Sequence, residues 1–248
     1  MSSQTAIAAA PGVAEASAES QAPAAELLGI KVPHSPFLND KRTERIKAGR
    51  YEGQEIQGAL HVVTPEDRVI EMGAGLGIVG AVVTRNARPA ALMAFEANPR
   101  LIPHIEALYA LNRIKSKITL RNEVLLTAPD APASVTFYLR PSFLGSSLIY
   151  NDQRQNDPVE VPTASFEAIR QSFRPTVLIM DIEGGEADFL AHADLTGIRA
   201  IVIEFHPNVY GRPVMQQLKK KLRDAGFARI DSHSTRTVWA CTREPADG

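Results

Sequence analysis

Short apolar runs recur along the chain at 68–72, 91–95, 118–120, 177–180 and 200–203, and segments of helical periodicity separate them at 76–86, 99–112, 165–173 and 187–192. A strand that is apolar on both faces has to be covered on both faces. A helix after each strand also returns the chain to begin the next strand in the same direction. The alternation predicts an α/β fold built on a mostly parallel sheet. A last helix over 213–225 carries Val214, Leu218 and Leu222 at intervals of four, begins at Pro213 and stops before Gly226. Lys219, Lys220, Lys221 and Arg223 lie near its C-terminal end, where the helix dipole favours cations, and read as a solvated face. Two β-rich runs follow, 227–231 and 237–241, joined by residues 232–236. They form a hairpin, so one closing strand runs antiparallel to its neighbour, on the end of a seven-stranded sheet.

The flanks differ in texture. Residues 1–27 are Ala-rich, contain Glu15 and Glu19, and have no Lys or Arg before Lys31. That is neither a secretory leader nor an Arg-rich transit peptide, and it predicts a disordered tail. Residues 28–64 read as an N-terminal helical cap. It comprises a polar helix running to Gly49 with Asp40 as its cap, and a second helix over 52–63 with Ile56, Leu60 and Val63 on one face. The α/β domain occupies 65–248. An insertion at about 127–176, between the third and fourth strands, carries two further strands at 134–139 and 158–161 with a loop over 141–148 between them, and reads as a flap.

Composition narrows the partners. Lys+Arg number 27 against 28 Asp+Glu, a net charge of -1, which argues against a nucleic-acid binder because phosphate neutralisation needs a surplus of cations. No run approaches the roughly 18 apolar residues of a membrane span. The single cysteine, Cys241, can form neither an internal disulfide nor a thiolate metal site, and points to a reducing, cytoplasmic setting. His34, His61, His104, His192 and His233 show no metal-ligand spacing. The oligomeric state stays open, with a homodimer among the options.

The segment Glu71-Met72-Gly73-Ala74-Gly75-Leu76-Gly77 joins the first sheet strand to a helix. Glycines there let the backbone approach a ligand closely and aim helix N–H groups at it. Two frames compete. Gly75, Gly77 and Gly80 satisfy G-x-G-x-x-G, with Glu96 about twenty residues on, as in a nicotinamide-dinucleotide oxidoreductase. The earlier frame, E-x-G-x-G-x-G from Glu71 to Gly77, is that of class I S-adenosylmethionine methyltransferases. Gly73 directly after the apolar run, an acid at Glu71 that suits an ammonium group and repels a pyrophosphate, and the closing antiparallel hairpin favour the second. In either frame Glu96 ends the second strand, with Ala97 beside it, where a carboxylate can accept both ribose hydroxyls. Asn98 and Pro99 read as the cap and first residue of the next helix. Asn122 and Glu123, after the third strand, are placed to meet adenine.

The most specific string is Asp181-Ile182-Glu183-Gly184-Gly185-Glu186, which ends the fourth apolar run. Ligands in open α/β sheets bind at that carboxyl edge. With the glycine loop, Phe95-Glu96-Ala97-Asn98-Pro99, Ile203-Glu204-Phe205-His206 and the opening Gly49-Arg50-Tyr51-Glu52, this string resembles the FkbM family of S-adenosylmethionine-dependent methyltransferases over residues 51–204. Glu71 stands where that family usually has Asp.

The resemblance implies a Rossmann-like class I methyltransferase domain. It also implies methyl transfer to a hydroxyl oxygen of a sugar or macrolide-like secondary metabolite, a small-molecule or glycoside acceptor. By position, Gly73, Ala74, Gly75 and Gly77 would line the methionine part of S-adenosyl-L-methionine, Glu71 would help hold it, Glu96 would bind ribose, and Asp181 would face the reaction centre. The predicted cap, including Tyr51, would close over the cofactor. An alcohol is a poor nucleophile until it loses its proton, so a base is needed; His206, Asp181, Glu183 and Glu204 are the candidates, His206 favoured for its ordinary pKa near 6.5. Several converging carboxylates could hold Mg²⁺ or Ca²⁺, but acids on either side of a sulfonium need no metal to explain them, and none is expected. Phe143, Leu144, Gly145, Ser146, Ser147 and Leu148 of the insertion loop are placed to cover the acceptor, with a plain surface loop as the alternative reading. A module that keeps the fold and binds cofactor without catalysis is the non-enzymatic alternative.

Overall fold

The computed structural model describes residues 22–140, 146, 148 and 157–243. The chain opens with a tight hairpin, β1 (Ala25–Leu27) and β2 (Ile30–Val32), followed by α1 (Asp40–Lys47) and α2 (Gly53–Val62). The domain proper then runs β3 (Arg68–Met72), α3 (Ile78–Asn86), β4 (Ala91–Phe95), α4 (Ile102–Leu111), β5 (Ile118–Arg121), β6 (Val124–Leu126), β7 (Ser134–Leu139), β8 (Asp157–Ser165), α5 (Phe166–Phe173), β9 (Val177–Met180), α6 (Glu186–His192), β10 (Ala200–Glu204), α7 (Pro207–Asp224), β11 (Ala228–Arg229) and β12 (Val238–Thr242).

A seven-stranded sheet in the order β11-β12-β10-β9-β3-β4-β5 carries the fold. The five strands β5, β4, β3, β9 and β10 are mutually parallel, and β12 enters antiparallel between β10 and β11. The expected α/β sheet with its antiparallel C-terminal hairpin is what forms. Alternation along β3 divides the core. Val69 packs into the layer under α2, α3 and α4, whereas Ile70 and Met72 pack into the layer under α5, α6 and α7. The register aligns Met72 with Phe95 and with Met180, and Met180 with Ile203. Gly73, Glu96, Asp181 and Glu204 therefore emerge side by side at one edge.

Several local expectations are corrected. Residues 1–21 of the expected tail lie outside the described residues. Residues 25–27, however, form β1, so ordered structure begins before residue 28, and the cap begins as a β-hairpin. Its strands are short and alternate, and Ala25, Leu27, Ile30 and Val32 are buried. Leu28 and Gly29, at φ 47 and 78, make the turn, and Asn112 clamps both backbone groups of Lys31 at 2.8 and 2.7 Å. The cap of α1 is Asn39, whose side chain accepts from Arg42 N. Asn98 does not cap α4; it accepts from Arg100 N at 3.0 Å in a local turn, and the helix starts at Ile102 with Pro103 in its first turn. Helix α7 starts earlier than expected and is broken at Gly211 (φ 85, ψ 158) before resuming at Pro213. Lys219 is not solvated: its stem is buried, its Nζ lies over the Phe205 and Trp239 rings, and it donates to the Arg236 carbonyl at 2.6 Å.

The insertion is a separate three-stranded sheet, β6-β8-β7, with β8 parallel to β6 and antiparallel to β7. Phe137, Leu139 and Val161 form its own small core. No helix among the described residues is long and apolar enough to cross a membrane.

Candidate active site

A cavity of about 370 Å³ opens over the carboxyl edge of β3, β4 and β9. Its floor is Gly73 and Gly75 of the loop after β3, with Glu96 and Ala97 after β4 and Asp181 to Gly185 after β9. Gly73 has φ 81, and a Cβ there would collide with the Asp181 carbonyl oxygen. Both the backbone conformation and the close approach of the two loops require glycine at this position. The N–H groups of Gly73 and Ala74 donate to the Phe95 carbonyl at 3.0 Å each, which fixes the loop against β4.

Glu96 is the most tightly specified polar residue of the floor. It is 6% exposed, its Oε2 accepts from Gly75 N at 2.7 Å, and its Oε1 accepts from Asn98 N at 2.8 Å. One lone pair on each oxygen remains for a ligand. Burial pushes its carboxyl up to about 7, although the backbone hydrogen bonds from Asn98 and Gly75 oppose the shift. Asn122 does not line the cavity; its Nδ2 donates to the carbonyls of Glu96 (2.7 Å) and Ala97 (3.1 Å), so it shapes the loop that presents Glu96. Glu123 does line the cavity and is paired with Arg121 at 2.6 Å.

Beyond the floor lies an acidic corner. Asp181 and Glu183 line the cavity, and behind them stand Glu186, Glu204 and His206. His206 Nε2 lies 3.5 Å from Asp181 Oδ1 and 3.6 Å from Glu183 Oε2, and its Nδ1 lies 3.0 Å from Glu186 Oε1. Burial alone would lower the imidazole pKa. The Glu186 hydrogen bond and the charges of Glu186, Asp181 and Glu183 outweigh it and raise the pKa to about 9. That shift favours the protonated ring in the free protein, which counts against His206 as the base. Its backbone N–H donates to the Tyr210 hydroxyl at 2.7 Å, which pins the start of α7. Burial, followed by the Glu204 charge, drives the Asp181 carboxyl well above the carboxylate range. Burial, then the Glu55 charge, pushes Glu204 up to about 7.

Besides Asn122, four expected cofactor residues fall elsewhere. Glu71 shares the Val69 face of β3, so its side chain runs under the loop towards α3. There it is 1% exposed and its Oε1 accepts from Gly80 N at 2.8 Å. Gly80 leaves the space that Glu71 fills. Tyr51 is 3% exposed within the core under α2 and does not line the cavity. Ala74 is buried in the same layer. Gly77 (φ 75) packs against Ile105 and Tyr109, where it starts α3. The sequence reading missed Glu52, which lines the cavity from the head of α2 in a left-handed conformation at φ 46. Burial pushes its carboxyl up to about 8. Phe137, Asp188, Phe189 and His192 also went unread: they line the cavity from the insertion and α6, and no local signal joins those segments. Of the insertion loop, Ser146 and Leu148 reach the cavity, whereas Phe143, Leu144, Gly145 and Ser147 lie outside the described residues.

Solved structures with a similar chain path include a precorrin-6y C5,15-methyltransferase from Geobacter metallireducens (12% identity, 91% of this chain and 100% of that chain, TM-score 0.47). Another is a ribosomal protein L11 methylase from Lactobacillus delbrueckii (14% identity, 86% of this chain and 85% of that chain, TM-score 0.46). A search of curated protein sequences finds no match. Residues 74–228 match the family described as the methyltransferase FkbM domain, from the glycine loop through the acidic corner to the closing hairpin. The chain belongs to the FkbM methyltransferase family.

Proposed function

We propose that the chain transfers a methyl group from S-adenosyl-L-methionine to a hydroxyl oxygen of a small acceptor of the sugar or secondary-metabolite type, in the cytoplasm. Glu96 carries the reading of the cofactor. Its two oxygens hold the loops at Gly75 and Asn98 and keep the lone pairs that the two ribose hydroxyls need. The glycine floor has no Cβ at Gly73 to obstruct the amino-acid arm, and Glu52, Asp181 and Glu183 surround the cavity with carboxyl groups. That field favours a sulfonium and an ammonium, whereas a dinucleotide would bring pyrophosphate charge against it. When bound, the cofactor supplies an electrophilic methyl group on a good leaving group.

The chain's own tasks are to align the acceptor with that methyl group and to take the hydroxyl proton. His206 is reassigned from base to anchor: its imidazolium holds Asp181 and Glu183 at 3.5 and 3.6 Å. Glu183, on the cavity wall, takes the proton. The apolar wall of Leu126, Phe137, Leu148 and Phe189 excludes water from the rest of the cavity.

Calorimetry with S-adenosylhomocysteine and with NAD tests the cofactor, and release of S-adenosylhomocysteine across glycoside, lipid and peptide acceptors tests the reaction. Binding of the first and turnover with a hydroxyl acceptor are expected. NAD binding alone, or methylation confined to amines, would refute the proposal. Cofactor binding without turnover across the panel would instead mark a binding module.

A further inference from the structure

We propose that Asp181, Glu204 and His206 form a site for one divalent cation of the Mg²⁺/Mn²⁺ class. They come from adjacent strand ends: Asp181 follows β9, Glu204 closes β10, and His206 caps α7. One ligand atom from each lies within 4.8 Å of the others, and Asp181 Oδ1 is 3.5 Å from His206 Nε2. Ligands at about 2.1 Å from a shared ion stand roughly 3 Å apart when adjacent and 4 Å apart when opposite. Closing around an ion therefore needs only small side-chain adjustments. Two carboxylate oxygens with one imidazole nitrogen are a hard-to-borderline donor set, suited to Mn²⁺ and Mg²⁺.

Two further observations point to an ion. His206 Nδ1 is held at 3.0 Å by Glu186, which has no exposed side-chain surface and accepts from Ile182 N and Gly184 N at 3.3 and 3.2 Å. A buried carboxylate on the far ring nitrogen keeps the proton on Nδ1, so an arriving cation displaces the Nε2 proton and takes that nitrogen as its ligand. Second, Asp181 Oδ1 and Glu186 Oε2 are buried with no hydrogen-bond partner among the described residues. Orphaned buried oxygens are rare in folded proteins, and ions or their waters are among the partners that satisfy them. Asp181 and Glu183 line the cavity while Glu204 and His206 stand behind them. The cation would therefore sit in the wall with its remaining positions open to the cavity, where an acceptor oxygen can enter. That last role rests on the hydroxyl-methylation reading; binding of the cation does not. The sequence-based expectation of no metal is revised accordingly.

Titrating the chelator-treated full chain with MnCl₂, followed by the electron paramagnetic resonance of free Mn²⁺, tests the site. One Mn²⁺ per chain with a Kd of ~10⁻⁴ M or tighter is expected. Glu204→Gln and His206→Gln should each weaken it at least tenfold, and Glu204→Gln should keep its affinity for S-adenosylhomocysteine, which reports a folded chain. A wild-type chain without a site tighter than 1 mM overturns the proposal. So do variants that bind Mn²⁺ as wild type does. Mn²⁺ binding in a protein that methylates no hydroxyl acceptor would refute the acceptor reading and keep the cation site.

Discussion

Glu71 offers the sharpest separation between a ligand-binding acid and a buried structural one. Its folded carboxyl is pushed by burial from 4.5 to about 8, against a single backbone hydrogen bond from Gly80. The sign follows from proton binding: between the two pKa values the folded chain holds a proton that the unfolded chain has released. The stability Glu71 contributes is therefore complete below pH 4.5 and is lost as pH rises through 8. At 1.36 kcal/mol per pKa unit, the loss between pH 5 and pH 8 is about 3–4 kcal/mol. Glu71→Gln keeps an acceptor for Gly80 N and removes the titration. An amide also leaves its second polar atom in the same unpartnered place as the Oε2 atom of the neutral acid, so variant and wild type should be nearly equal at pH 5. At pH 8 the variant should be the more stable by about 3–4 kcal/mol, which for a chain of this size raises Tm by roughly 10 °C. Differential scanning calorimetry of both proteins from pH 5 to pH 8 measures this. Because Glu52, Glu96 and Glu204 also have raised values, only the difference between the two curves is diagnostic. Parallel curves would refute the burial argument. A tenfold loss of S-adenosylhomocysteine affinity in Glu71→Gln would return Glu71 to the cofactor site.

Two other outcomes follow from the same geometry. Glu96→Gln replaces one ribose-facing acceptor with an amide donor and breaks one of the two loop hydrogen bonds. At roughly 1.5–3 kcal/mol for a hydrogen bond to a charged group, S-adenosylhomocysteine affinity should fall roughly 10- to 10²-fold in calorimetry. Wild-type affinity should also weaken below pH 7, as Glu96 takes up a proton and loses acceptor capacity; a flat profile would deny its ribose role. In ¹⁵N NMR of the metal-free chain, His206 should remain an imidazolium through pH 8 and titrate near 9. Titration at or below 6.5 would restore it as a candidate base.

The sheet was legible because its signal is local. The runs at β3, β9 and β10 are largely apolar and buried on both faces, as a covered parallel sheet requires. The glycine loop and the Asp181–Glu186 string were legible for the same reason, since each sits where a strand ends. Side-chain direction was harder. Glu71 stood in the right string but on the wrong face of β3, a consequence of strand alternation that placing it beside Val69 and Ile70 could have exposed. The hairpin at 25–32 has strands of three residues, too short for periodicity to register. The charge of His206 could not be read at all, because it depends on Glu186, 20 residues away in sequence and 3.0 Å away in space.

The acids at the sheet edge share one physical condition. Glu52, Glu96, Asp181 and Glu204 each have a raised pKa with burial as the leading cause. Any group that prefers to be neutral in the free protein becomes a stronger anion when a cation arrives, since the cation offsets the desolvation that held the proton. The corner therefore discriminates by charge before it does so by shape. A cationic cofactor, or a divalent ion at Asp181, Glu204 and His206, gains from ionising these carboxyls, and an anionic ligand loses. The same burial depresses stability at neutral pH, so the fold carries a standing cost at this edge. An apolar replacement at Glu52 would remove that cost together with the selectivity. Retaining several buried acids around one cavity is consistent with selection for binding positive charge over selection for stability.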